Sequence, residues 1–398
     1  MILEVHHSMA EAKDLMATLK AINKKFGDNV MKVGVEDLTS YGTLSLGSPS
    51  FDFCLYNSFP ERRIIEFNGA EGSGKTTTAY FVAGSYQRKE LERNPDNPRK
   101  ILFIDLECGA DPQWALLAGY DMNNHPVQTI RFTPEDMCAE EIFDAVIDLI
   151  KSGEIGLIIL DSPNMLVPQQ VHDESFEKKD MGGIAKVLGD FVRRVTSLLI
   201  KYNCTLIGIN QLRENIGGYG QSEITSGGRG WKHGCAVRMK FKKGEFFDED
   251  GNVLSTTAES PAGYVLEAFV QKTKVCKWDR KLGRMHINYT TGVDILQDTI
   301  EVATYLGLID NSVQGTFKII DVDTGELMLD AEGNEIKIRG KKNVKPYFQE
   351  HPDLWKKLYD KVYEKISQKD DPSIKSFEAM LDIDLADKFG VDPNATDD

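Results

Sequence analysis

The sequence predicts an α/β protein built on a central, mainly parallel β-sheet. Between about residues 37 and 294, short apolar runs typical of buried strands alternate with stretches of helical periodicity. A glycine-rich loop of the phosphate-binding pattern follows one of these runs and precedes a helical stretch. Strands buried on both faces, with helices between them, favour a doubly wound sheet that binds ligands at the carboxyl ends of its strands.

The segment before this core is predicted to be an arm, residues 1–36. A helical stripe of apolar residues precedes a strand-like run at 30–33, and the stripe consists of Met16, Leu19, Ile22 and Phe26. One helix and one strand cannot enclose a core of their own. The arm is therefore expected to pack on its own core or on a neighbouring subunit.

Residues 69–76 read GAEGSGKT, between the apolar run at 64–67 and a helical stretch at 77–86. The glycines let successive backbone N–H groups point at phosphates, and the helix adds its positive end. In this pattern Lys75 reaches the outer phosphates of a nucleoside triphosphate and Thr76 coordinates Mg²⁺. The predicted phosphate-binding residues are Gly69, Glu71, Gly72, Ser73, Gly74, Lys75, Thr76 and Thr77.

Three further apolar runs end in polar residues where chemistry is expected. Asp161 has the position of a carboxylate that supports Mg²⁺, although an Asp-Ser pair after a strand is also an ordinary helix cap. Glu107 is a candidate base for the attacking water, with a solvated loop acid as the plain alternative. Gln211 is placed to sense a γ-phosphate and to pass its state to the chain that follows.

Two long connections are candidate functional loops. Residues 212–228 are rich in glycine and are expected to form no regular structure by themselves. The other connection, 168–180, leads into a helix in which Lys186 and Arg193 lie about two turns apart on one face. Such a face could follow a phosphate backbone, and for the helix alone a solvated surface is the plainer interpretation.

Charge and cysteine usage limit the function classes. The net charge of −15 over 398 residues weighs against nucleic-acid binding, yet the stretch 272–284 is strongly basic while 369–398 is acidic. A basic working surface is thus compatible with an acidic tail. No run is long enough to cross a bilayer and no signal peptide is evident, so a cytoplasmic location is predicted. The cysteines lack metal-site spacing and are predicted to be small buried hydrophobes: Cys54, Cys108, Cys138, Cys204, Cys235 and Cys276.

The pattern changes after Asp294. A helix, a hairpin-like stretch at 317–338 and a helix at 352–367 predict a small α+β domain. The last residues, 391–398, are expected to be disordered. The predicted domains are the arm (1–36), the core (37–294), the small domain (295–390) and the acidic tail (391–398).

Several motifs together resemble one family. They read LKAINKKFGDNVMKVG, GTLSLGSPSFDFCL, GAEGSGKTT, FIDLECGADPQWA, IILDSPNMLVP, INQLRENIGG and TSGGRGWKHGCAVR. On these motifs the chain resembles the RecA-type recombinases of bacteria and phages, over about residues 19–358. The resemblance implies a RecA-like P-loop ATPase core that uses ATP and Mg²⁺.

The resemblance also assigns site roles. It implies that Glu107 is the catalytic base, that Asp161 supports the metal and that Gln211 couples the γ-phosphate to the second DNA loop. The adenine would contact Asp111, Trp114 and Tyr289. Across a subunit interface, Lys272 and Lys274 would reach the neighbour's ATP, with Lys232 and Arg238 lining the same interface. The implied DNA-binding residues are Met181, Gly182, Lys186, Arg193, Arg213, Tyr219, Ser226, Gly227 and Gly228.

The implied activity is that of a DNA-dependent ATPase that forms helical filaments on single-stranded DNA and exchanges strands with double-stranded DNA. Two alternatives remain at this point: a ring helicase on the same core, and an ATP-gated single-stranded DNA scaffold with negligible turnover. His233 stands where the family relays between subunits through an aromatic residue, which bears on how strongly ATP and DNA are coupled. Mediator and repressor partners are left open.

Overall fold

The computed structural model describes residues 15–25, 42–172, 183–214, 223–225, 227–249, 251–255, 257–330, 332–368 and 385–389. The chain divides into two units, Met1–Gly42 and Thr43–Asp398. In the first unit the described part is a helix, α1 (15–25), on which Met16 is exposed while Leu19 and Ile22 are half-buried. Phe26 and the predicted strand at 30–33 lie outside the described residues.

The second unit contains the sheet and the remaining helices. Its strands are β1 (Thr43–Leu44), β2 (Phe59–Pro60), β3 (Ile64–Gly69), β4 (Lys100–Asp105), β5 (Thr129–Phe132), β6 (Ile155–Asp161), β7 (Thr205–Glu214), β8 (Glu223–Thr225), β9 (Val237–Phe247), β10 (Val253–Leu254), β11 (Gly263–Thr273), β12 (Leu282–Asn288), β13 (Gly292–Val293), β14 (Ile309–Asp310), β15 (Thr316–Ile319) and β16 (Lys337–Arg339). Its helices are α2 (Pro49–Cys54), α3 (Lys75–Arg93), α4 (Pro112–Leu117), α5 (Ala139–Lys151), α6 (Gln169–His172), α7 (Gly183–Lys201), α8 (Gly228–Gly234), α9 (Ile295–Tyr305), α10 (Val344–Glu350), α11 (Pro352–Ile366) and α12 (Leu385–Phe389).

The central sheet has the order β13-β12-β11-β9-β3-β7-β6-β4-β5. Neighbours from β9 to β5 pair in parallel, whereas β9, β11, β12 and β13 pair antiparallel. The prediction of a mainly parallel α/β sheet is therefore confirmed. The register brings strand ends together, because Gly69 pairs with Gln211 and Asp105 pairs with Asp161.

Helices cover both faces of this sheet. On one face α3 packs through Tyr80, Ala83 and Tyr86, and on the other face α5 and α7 pack through residues such as Val146 and Val195. Fully burying a valine side chain such as Val146 or Val195 contributes roughly 1.5–3 kcal/mol relative to leaving it exposed. Burial on both faces explains why the parallel strands read as continuous apolar runs in the sequence.

The part of the chain after Asp294 forms a third apolar cluster. It combines α9, α10 and α11 with Phe53 and Phe269 from the preceding region. The predicted hairpin is confirmed, since Phe317 pairs with Ile338 in an antiparallel ladder. Because this cluster includes residues from before Asp294, the boundary at residue 294 stays a prediction. The tail at 391–398 lies outside the described residues.

Three expectations are wrong in part. Cys108 is exposed and Cys276 is half-buried, while the other cysteines are buried. The basic stretch 272–284 is not all surface, because Arg280 is buried against the Tyr56 ring and donates to the carbonyl of Ile366 at 2.8 Å. The loop 212–228 has regular structure at both ends, where Leu212–Glu214 and β8 pair antiparallel.

None of the helices in the described part of the chain combines the length and the apolar composition that a membrane span requires.

Candidate functional site

The loop between β3 and α3 has the backbone of a phosphate cradle. Gly72 and Gly74 adopt φ values of 67° and 82°, a region that favours glycine. A Cβ at Gly74 would lie 2.7 Å from the Leu266 side chain, so a larger residue would have to displace Leu266 and adopt a strained φ. Gly74 has no side chain to cap α3. The first turn of the helix can therefore donate its N–H groups to an anion.

Lys75 begins α3 and points back into the loop. Its Nζ donates to the carbonyls of Gly69 at 3.1 Å and Ala70 at 2.6 Å. Burial lowers the pKa of the Lys75 ammonium, and the carboxylates of Asp161, Glu107 and Glu71 oppose that shift. The ammonium is held by weakly competing backbone oxygens, which phosphate oxygens can replace.

Thr76 and Asp161 form the next part of the site. The Thr76 hydroxyl donates to Asp161 Oδ2 at 2.9 Å across the ends of α3 and β6. Burial raises the pKa of Asp161 to about 7, opposed by the Thr76 hydrogen bond and assisted by the charges of Glu107 and Asp105. Asp161 thus contacts the loop hydroxyl, as the metal interpretation requires. A hydroxyl beside a carboxylate is a donor set that suits Mg²⁺.

Asp161→Asn is expected to stabilise the chain without added nucleotide or divalent cation, increasingly so as pH rises. The pKa of Asp161, about 7, is above its unfolded value of 3.8, so the folded state binds more protons between these limits and loses stability as pH rises through them. The slope is roughly 1.4 kcal/mol per pH unit, which gives about 2 kcal/mol between about pH 5.5 and about pH 8. Urea unfolding of both proteins at the two pH values measures it, and an equal stability difference at both would contradict it.

Glu107 follows β4 and is held by two neighbours. Its Oε1 accepts from Ser162 Oγ at 2.5 Å and from Gln211 Nε2 at 2.7 Å. The sheet register explains the meeting, since β4, β6 and β7 are consecutive in the sheet and end at the same edge. Sequence reasoning missed Ser162, although its place directly after Asp161 at a strand end was a usable signal.

Two candidate adenine residues, Trp114 and Tyr289, belong to a polar and aromatic group together with Thr77 of α3 and Tyr264 of β11. Trp114 Nε1 donates to Thr77 Oγ1 at 2.9 Å, and the Thr77 side chain lies close to Tyr264. The rings of Tyr264 and Tyr289 lie 5.6 Å apart. Asp111 caps α4 by accepting from two backbone N–H groups through Oδ1. The structure thus connects Trp114 to Tyr289 through Thr77 and Tyr264, and Tyr264 was missed from the sequence.

The candidate DNA residues are only partly described. Lys186 and Arg193 are both exposed on α7, where Arg193 pairs with Asp190. A Cβ at Gly228 would lie 3.1 Å from Ala185 Cβ, so the end of the loop 212–228 packs beside the turn that carries Lys186. Met181, Gly182, Tyr219 and Ser226 lie outside the described residues, as does the Arg213 side chain.

The two candidate trans lysines lie together at the end of α8. Lys272 Nζ donates to the carbonyl of Lys232 at 2.6 Å, and Lys274 Nζ donates to the carbonyl of His233 at 2.7 Å. Cations at the carboxyl end of a helix are favourably placed. The half-exposed ammonium of Lys272 and the exposed one of Lys274 are therefore held on one side of the molecule.

The structure places Arg238 differently from the prediction. The prediction that it lines a subunit interface is wrong for this side chain, which is 1% exposed. Its guanidinium pairs with Glu66, itself fully buried in β3. The physical reason is charge compensation, because a carboxylate inside the sheet requires a cation beside it.

Comparison with known proteins identifies the family. The family model described as the RecA N-terminal domain matches residues 13–294. The chain is 28% identical to Protein RecA of Clostridium acetobutylicum over 356 residues, covering 89% of this chain and 91% of that protein. It is 30% identical to Protein RecA of Mesoplasma florum over 302 residues, covering 75% of this chain and 84% of that protein. With a family model that spans most of its length and relatives aligned along nearly all of theirs, this chain belongs to the RecA family.

Proposed function

We propose that ATP and Mg²⁺ bind at the loop 69–76 and that this binding controls the affinity of residues 212–228 for single-stranded DNA. As a member of the RecA family, the chain is a DNA recombinase with DNA-dependent ATPase activity, and it binds DNA and self-associates. The observation that carries the finer proposal is the hydrogen bond of 2.7 Å between Glu107 and Gln211. It joins a candidate catalytic carboxylate to the residue that directly precedes the DNA loop.

The loop residues fit a magnesium nucleotide. Lys75 would donate to the outer phosphate oxygens in place of the loop carbonyls that it now contacts. Thr76 would coordinate Mg²⁺, with Asp161 accepting its hydroxyl or a bound water. When bound, the metal nucleotide supplies a transferable phosphoryl group and the cation that neutralises its developing charge. The group of Trp114, Thr77 and Tyr289 would hold the base, whose ring stacks well on aromatic side chains.

Glu107 would act as general base and Gln211 as sensor. Ser162 and Gln211 orient the Glu107 carboxylate, and a carboxylate in hydrogen-bond reach of a water can accept its proton. If Gln211 donates to a γ-phosphate oxygen instead, its movement is passed along β7 to Leu212–Glu214. The antiparallel pairing with β8 then carries it to the far end of the loop. Nucleotide state thereby becomes DNA affinity.

Glu107→Gln is expected to reduce DNA-stimulated ATP hydrolysis by at least about 100-fold, because the amide cannot accept a proton from water. ATP-dependent assembly on single-stranded DNA and homologous pairing should remain, since the amide preserves the shape of the site. Phosphate release and a strand-exchange assay measure the two properties, with the exposed acid Glu135→Gln as control. Unchanged phosphate release in Glu107→Gln would show that Glu107 is not the general base. A native protein without DNA-stimulated release would instead favour the scaffold.

A further inference from the structure

A buried carboxylate in β3 gathers hydrogen bonds from three other elements. Glu66 is fully buried, and its Oε1 accepts from Asn210 Nδ2 at 2.8 Å and from Trp231 Nε1 at 2.9 Å. Its Oε2 accepts from Arg238 Nε in a short ion pair. Hydrogen bonds to a charged acceptor are stronger than those between neutral groups. The four side chains therefore act as one unit rather than as separate contacts.

The position of this unit in the fold is informative. Glu66 lies on the strand that ends at Gly69, where the phosphate loop begins. Asn210 directly precedes Gln211, at the entry to the loop 212–228. Trp231 lies on α8, which begins at Gly228, at the exit of that loop. One carboxylate thus ties the strand leading to the phosphates to both ends of the candidate DNA loop.

A second connection runs from the same strand to the candidate trans lysines. Asn68 Nδ2 donates to Gln271 Oε1 at 2.8 Å, and Gln271 directly precedes Lys272. Lys272 in turn holds the carbonyl of Lys232, the residue after Trp231. The strand β3 is therefore linked to α8 on two sides.

Packing makes the unit stiff. Trp231 is fully buried, and a Cβ at Gly208 would lie 2.4 Å from its ring. A Cβ at Gly234 would lie 2.3 Å from Val192 on α7. With both sides of α8 in close contact, the helix cannot tilt without drawing the Trp231 N–H away from Glu66. Losing that donor would leave a desolvated charge less well satisfied, which favours two discrete arrangements over gradual bending.

We propose that Glu66 is a positioning residue that couples the phosphate loop to the DNA loop through Asn210, Trp231 and Arg238. The inference rests on the proposed function in so far as residues 212–228 bind DNA. Glu66 touches neither nucleotide nor DNA in this assignment. It fixes the position of α8 relative to β7. When Gln211 shifts, the end of the loop at Gly228 therefore moves with it. His233 is exposed, and the internal linkage does not depend on its side chain.

The test compares Trp231→Phe and Glu66→Gln with the native protein and with a matched control, Glu90→Gln. Trp231→Phe keeps an aromatic ring and removes the N–H donor, so it decides the question if Glu66→Gln folds poorly. Glu90 is also fully buried and paired with an arginine, Arg99, but it lies on α3 and its side-chain hydrogen bonds go to Asn94 and Arg99. The measured quantity is the ratio of single-stranded DNA affinities with a non-hydrolysable ATP analogue and with ADP.

Both network variants are expected to lower this ratio roughly 10-fold, the size of one lost hydrogen bond to a charge. Nucleotide affinity in the absence of DNA should change little. Glu90→Gln should lower thermal stability and leave the ratio unchanged. If Trp231→Phe keeps the affinity ratio of the native protein, or if Glu90→Gln lowers the ratio as much as the network variants do, the inference about Glu66 is wrong while the proposed function stands. A native protein whose DNA affinity is the same with both nucleotides overturns the proposed function as well.

Discussion

Replacing Lys75 with alanine is expected to weaken nucleotide binding strongly and nucleotide-dependent DNA assembly with it. In the proposed complex the ammonium leaves two backbone carbonyls and donates to phosphate oxygens, at about 1.5 kcal/mol or more for each charge-assisted bond. Two such bonds correspond to a loss of roughly 100-fold in affinity. Because DNA binding by residues 212–228 depends on the bound nucleotide in the proposed mechanism, DNA assembly should fall with it. Equilibrium nucleotide binding and filament formation on single-stranded DNA measure the two effects.

The variant is expected to fold. Burial depresses the pKa of Lys75 below its unfolded value of 10.5, so the charged side chain costs the folded state free energy at neutral pH. Alanine removes that cost, and thermal unfolding should occur at the native temperature or above. Lys89→Ala is the matched control, because Lys89 is a second partly buried lysine of α3 that donates to a carbonyl, that of Thr43. Retention of both activities in Lys75→Ala would mean that the loop is misassigned.

Much of the candidate site is predictable from the sequence because parallel strands end at one edge of a sheet. Glu107, Asp161 and Gln211 each follow an apolar run, and the structure brings Glu107 into hydrogen-bond contact with Gln211. Thr76 meets Asp161 for the same reason. Strand pattern and strand end are local properties, so one sequence carries them.

Hydrogen-bond partners and buried charges are harder to predict. The sequence places Arg238 at a predicted subunit interface and Arg280 in a predicted basic surface. In the structure Arg238 compensates the charge of Glu66, and Arg280 donates to a carbonyl in α11. Charge counted along the chain does not reveal which cations turn inward. A signal did exist, because Glu66 interrupts the apolar run at 64–67, and a carboxylate inside a strand buried on both faces requires partners. Its partners Trp231 and Asn210 are distant in sequence and follow only from the sheet register.

The double substitution Lys272→Ala with Lys274→Ala is expected to separate binding from catalysis. In the proposed filament both ammonium groups reach the phosphates of a neighbouring protomer, where a positive charge stabilises the transferring phosphoryl group. Removing such cations lowers the rate by about 1,000-fold or more. A lone protomer should still bind nucleotide with nearly native affinity, because within their own chain both ammonium groups donate to carbonyls at the end of α8.

The geometry of the single chain makes this experiment interpretable. Lys272 and Lys274 are anchored to the carbonyls of Lys232 and His233, so their removal releases the end of α8. Lys242→Ala is the matched control, since Lys242 lies on the neighbouring strand and also donates to a carbonyl, that of Lys388. ATP hydrolysis on single-stranded DNA and nucleotide binding at protein concentrations below assembly are the two measurements. Equal loss of both in the double variant would place the lysines at the nucleotide of their own chain, and the proposal of a site shared between protomers would fail.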